Sequence, residues 1–178
     1  MTTITFLTLI GMIVFVIYNA CILSKFGVPH SLSNSFYLLN GIKKGLGYLF
    51  TIMMFTLSIC LMPGWIEITE TISSWSHHLT PLPFFAAALI GFVGASPAFN
   101  DSDLENKVHT ISAYAAATFA ILWCSIVCYN TAWIIIPASA IAILIASLAT
   151  RTLKSCKIYW LEMIAFLATF ITILVEQF

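Results

Sequence analysis

Four side chains in an otherwise hydrocarbon-rich sequence have types that could do chemistry: His30, His109, Glu162, and Asp101 or Asp103. Two imidazoles and two carboxylates suit a borderline metal ion such as Zn²⁺ that keeps an open water position, and they suit a proton relay equally well. In that reading the catalytic candidates are Asp103, His109 and Glu162, and the metal candidates are His30, Asp101 and His109. The spacing itself specifies neither chemistry. There is no HExxH or HxxxH pattern and no helix with paired aspartates. Gly41, Gly45 and Gly47 are not followed by Lys-Ser or Lys-Thr, so no phosphate loop is present. The pattern assigns no cofactor.

Each of these residues also has a plainer structural reading. Ser102-Asp103-Leu104-Glu105 is a capping box ahead of an apolar run, and acids in a first helical turn suit the helix dipole. Glu105 and His109 stand at i, i+4 and can pair on a helix surface. His77 and His78 read as solvated loop residues. Glu162 is the hardest to explain away, because an ionisable group inside a span is costly and usually faces the bundle interior. A structural pair with Lys107, Lys154 or Lys157 would still account for it.

The elements that must position these groups follow from composition. The chain has 178 residues, 61% hydrophobic and only 8% charged, where a soluble domain carries about 25% charge. That predicts an all-α, polytopic membrane protein: one integral-membrane domain with short interfacial helices. At about 20 residues per span there is room for six. They are placed at Ile4–Leu23, Gly45–Met62, Leu82–Ala98, Val108–Tyr129, Ala132–Ala149 and Ile158–Val175. The first lacks a basic n-region and an A-x-A site, so it is expected to be a retained helix rather than a signal peptide. Pro137 inside the fifth span predicts a kink. The five cysteines show no CxxC spacing and read as small hydrophobes.

Two interfacial helices are expected. After Pro29, Ser31 can cap a short helix running to Asn40, with Leu32, Phe36 and Leu39 on one face and Ser31, Asn34 and Ser35 directed elsewhere. In Pro63–Pro81, Trp65, Ile68, Ile72 and Trp75 recur at helical spacing. This predicts a second such helix with its indoles at headgroup level.

Charge then sets orientation. Lys25, Lys43, Lys44, Lys107, Arg151, Lys154 and Lys157 are all the basic residues of the chain, and all fall in the first, third and fifth connections. By the positive-inside rule those connections are cytoplasmic and both termini lie outside. The same orientation would bring His30, Asp101 or Asp103, His109 and Glu162 to one cytoplasmic mouth. Zero net charge and a single arginine exclude a nucleic-acid partner.

The run Pro29-His30-Ser31-Leu32-Ser33-Asn34-Ser35-Phe36-Tyr37, taken with Gly94-Ala95-Ser96-Pro97-Ala98-Phe99, Asp103 and Val108-His109, resembles a family of small, uncharacterised multispan proteins of gut Bacteroidetes and their phages. The likeness covers roughly residues 25–117. It implies a bacterial inner-membrane setting and carries no activity.

Three function classes remain open to the sequence. The first is a small membrane protein that interacts with lipid, with another membrane protein or with its own copies. The second is a membrane-embedded enzyme of the metal-dependent hydrolase type, its polar site at the cytoplasmic mouth. The third is a small transporter or channel, although no inverted repeat supports it.

Overall fold

A computed structural model describes residues 2–98 and 102–178, without the side chains at 98, 102, 103 and 105. It is 84% helical with no strand among the described residues, so the chain is all-α. The helices are α1 (Thr3–Phe26), α2 (Asn34–Ile42), α3 (Tyr48–Thr71), α4 (Pro81–Ala95), α5 (Ser102–Val127), α6 (Tyr129–Ala149) and α7 (Lys157–Gln177). All but α2 take part in six segments long and apolar enough to cross a bilayer, α4 together with the 3₁₀ turn Ser76–Leu79 that precedes it. The 24 residues of α1, at 1.5 Å each, reach about 36 Å, more than the hydrocarbon thickness.

Helix α3 is the axis of the bundle, packing against α1, α4, α7 and α2. Its Phe50, Leu57, Leu61 and Trp65 are fully buried. Helix α4 lies unusually close, because Gly94 leaves no side chain to intervene. A Cβ there would stand 2.7 Å from the Met54 Cβ. Ser58 Oγ donates across the same contact to the Ala87 carbonyl at 2.6 Å. Helix α6 packs along α7 and meets α5 over a much shorter stretch.

The short helix after Pro29 forms as expected. Asn34 N–H donates to Ser31 Oγ at 3.2 Å, and Leu32, Phe36 and Leu39 are buried. Ser35 departs from expectation: it is buried, donates to the Leu32 carbonyl and bonds the Tyr18 hydroxyl at 2.6 Å. The turn into α3 is held by Asn40 Oδ1, which accepts from Gly45 N–H at 2.9 Å and Gly47 N–H at 3.0 Å. Gly45 sits at φ +96, where a side chain would be strained.

The second interfacial helix is not found. Helix α3 runs through Pro63 to Thr71, so the expected boundary at Met62 lies inside it. Trp65 is fully buried, its ring 6.2 Å from that of Trp123 at 69°, whereas Trp75 is half-exposed. The reason is register. Met54, Leu57, Leu61, Trp65 and Ile68 form one continuous i, i+3/i+4 face across Pro63. Burying that face outweighs the one backbone hydrogen bond that proline removes.

Candidate functional site

The site begins where α1 ends. Gly27 takes φ +73 and its N–H donates to the Leu23 carbonyl at 3.0 Å, turning the chain across the start of α7. Four hydrogen bonds then tie residues 28–32 to that helix start. Cys156 Sγ donates to the Val28 carbonyl at 3.4 Å, and His30 Nδ1 to the Ser155 carbonyl at 3.0 Å. Tyr159 N–H donates to the His30 carbonyl at 3.2 Å, and Leu32 N–H to Glu162 Oε2 at 2.7 Å. Tyr159 N–H is one of the first-turn donors that a helix cannot satisfy internally, so the α1–α2 loop caps α7 from outside.

Glu162 therefore turns inward, as expected, but its partner differs from the one expected. It finds neither His109 nor a lysine; a main-chain N–H from a distant loop reaches it first. Hydrogen bonds to a charged acceptor are the stronger kind, which helps to hold a carboxylate about 7.5 Å inside α7. A second polar layer lies beside it. Tyr159 O–H donates to Asn19 Oδ1 at 3.2 Å, and Asn19 Nδ2 donates to the Phe15 carbonyl at 2.9 Å. Sequence reading gave Tyr18, Asn19 and Tyr159 no part in a site and directed Ser35 elsewhere. The signal that was available is Asn19, a lone amide in an apolar run.

His30 and His109 have partners of their own. His30 is exposed and committed to Ser155. His109 Nδ1 shares a 3.3 Å hydrogen bond with Ser96 Oγ at the α4–α5 connection. Asp101 lies outside the described residues, and Asp103 is described only in its backbone, as part of α5. Among the described residues no three His, Cys, Asp or Glu side chains come together in a way that could hold a metal ion. His77 and His78 lie with ring centroids 3.9 Å apart and planes tilted by 43° in the 3₁₀ turn before α4.

Glu162 forms part of the wall of an internal slot. The slot encloses about 540 Å³ including its open mouth, of which about 50 Å³ can hold the centre of a water-sized sphere. Helix α3 contributes Met54, Leu61 and Trp65; α4 contributes Ile90 and Val93. The α5 wall is Ala113, Ala116, Ala117 and Ala120, and the α7 wall is Glu162, Ala165, Phe166 and Thr169. Leu32 closes the end at Glu162. The lining residues extend over about 16 Å on α3, from Met54 to Trp65, and over about 10 Å on α5 and on α7.

The α3 and α4 walls are buried, whereas Ala113 and Ala117 on α5 and Glu162, Ala165 and Phe166 on α7 are partly exposed. The slot thus opens sideways between α5 and α7. His109 stands one turn before Ala113 on the same face of α5. Among the described residues Trp65, fully buried, has no hydrogen-bond partner for its indole N–H.

The opposite end of the bundle holds a separate buried network. Trp123 Nε1 donates to Thr69 Oγ1 at 2.7 Å, Thr69 Oγ1 to the Trp65 carbonyl at 2.6 Å, and Ser76 Oγ to the Thr69 carbonyl at 2.5 Å. Thr131 Oγ1 donates to Glu176, and Gln177 Nε2 reaches Glu67 Oε2 at 3.4 Å. These contacts tie α3, α5, α6 and α7 together at the Trp65 end of the slot.

Fold and spans define the chain as an all-α, multi-pass membrane protein. Compared with known proteins, it matches no family model, no curated sequence and no solved structure.

Proposed function

We propose that this is a lipid-interacting protein of the bacterial inner membrane, and that its interaction site is the slot between α5 and α7. The single observation that carries the reading is an apolar pocket walled by four of the apolar helices, partly exposed along α5 and α7, with a carboxylate in its lining. Ligand pockets are typically concave, largely apolar and provided with a few placed polar groups. A site reached through a helix–helix gap takes its occupant from the bilayer rather than from water.

The orientation proposed with it places the lysine-bearing connections in the cytoplasm and both termini outside. All seven basic residues lie in those three connections or at the helix ends that flank them, Lys25 in α1, Lys107 in α5 and Lys157 at the start of α7, which supports that orientation. Glu162 then stands toward the cytoplasmic leaflet.

The test is retention of a single-chain lipid by the purified full-length protein, read by native mass spectrometry. Wild type should carry one chain per protein. Ala117→Phe, which fills the mouth from a partly exposed position, should lose it while keeping its helical content. Equal occupancy in both proteins would contradict the reading.

A further inference from the structure

Resting on that lipid-binding reading, we infer that the slot takes a single-chain amphiphile whose head is a hydrogen-bond donor, a hydroxyl or an ammonium, and that Glu162 receives that head. The chain lies along Ala113, Ala116, Ala117 and Ala120 of α5, toward Trp65.

Shape sets the chain number. The space open to a water-sized sphere is only about 50 Å³, with alanines along one wall, so the slot has room for no more than one aliphatic chain. Charge sets the head. Glu162 is the sole ionisable side chain among the residues lining the slot, which include no Lys, Arg or His. The oxygens of a carboxyl group accept hydrogen bonds. Leu32 N–H engages Oε2, and among the described residues Oε1 has no hydrogen-bond partner. A donor head is received there, and an ionised phosphate or carboxylate head has no donor to offer.

The test is competition by dodecan-1-ol, dodecylamine, the methyl ether of dodecanol and dodecanoate against a fluorescent alkyl probe. It uses the full-length protein in nanodiscs. Wild type should bind the alcohol or the amine about tenfold or more tighter than the ether, and dodecanoate weakest, as a hydrogen bond to a charged acceptor implies. Glu162→Gln keeps an acceptor oxygen without charge. It should abolish a preference for the amine and leave much of one for the alcohol, which separates the two heads. Glu162→Leu should remove both preferences. Equal affinity for all four heads in wild type would overturn the head-group assignment and leave chain binding standing. So would tightest binding of dodecanoate. Failure of every chain to displace the probe, with Ala117→Phe behaving like wild type, would instead overturn the lipid-binding reading itself.

Discussion

The main-chain N–H of Leu32 donates to Glu162 Oε2 at 2.7 Å across 130 residues of sequence. The bond joins the first connection of the chain to its last membrane helix, and it closes one end of the slot. If it stabilises the fold, Glu162→Leu should leave the Leu32 N–H unpaired at a cost of about 1–3 kcal/mol. Glu162→Gln, which keeps an acceptor, should cost clearly less. Reversible unfolding of both variants in a common detergent would measure the difference. Equal stability of Glu162→Leu and wild type would show that the bond contributes nothing.

The close approach of α3 and α4 gives a second prediction. Gly94→Leu must place carbon where Met54 Cβ already stands, 2.7 Å away, and should cost about 1–3 kcal/mol or more through overpacking. Gly41→Ala is the control. No atom comes within 4 Å of a Cβ there, and its stability should change by no more than about 1 kcal/mol, in the stabilising direction. Equal effects at the two positions would contradict the packing described.

Trp123 and Thr69 should be energetically coupled. A double-mutant cycle of Trp123→Phe and Thr69→Val should return about 1 kcal/mol for the 2.7 Å hydrogen bond between them. Additive losses would mean that the contact is geometric only.

Tryptophan accessibility checks the continuation of α3 beyond Pro63. Trp65 is fully buried and Trp75 half-exposed. An aqueous quencher should therefore lose much of its effect in Trp75→Phe and retain it in Trp65→Phe. The reverse pattern would restore a break at Pro63.

Much of this architecture was legible in the sequence, for identifiable reasons. Six spans and the helix after Pro29 follow from apolar run length and from the period of Leu32, Phe36 and Leu39. These are local signals. Pro63 misled because it was read as punctuation, whereas its neighbours Leu61 and Trp65 keep the core face in register through it. The inward turn of Glu162 was legible from the cost of a carboxylate in hydrocarbon. Its partner was not, because every main-chain N–H is chemically equivalent in a sequence and only topology selects Leu32. The slot was illegible for the same reason. Ala113, Ala116, Ala117 and Ala120 read as filler until α5 is set beside α7.

Orientation can be tested with cysteine labelling in intact cells. Substituted at Thr2, Ser73 and Gln177, cysteines should react with an impermeant reagent, and at Ser102 and Ser155 they should not. The native cysteines are removed first, since Cys21 is exposed. Reaction at Ser73 and Ser102 from the same side would contradict the proposed topology.

The most direct measurement of the central claim is photo-crosslinking with a dodecanol that carries a diazirine on its chain, followed by peptide mapping. Binding in the slot predicts adducts concentrated on residues 113–120 of α5 and 162–169 of α7, and their loss in Ala117→Phe. Adducts concentrated instead on the exposed face of α6, at Trp133, Ile134 and Ile141, and unchanged by Ala117→Phe, would show only general lipid contact and would contradict the account.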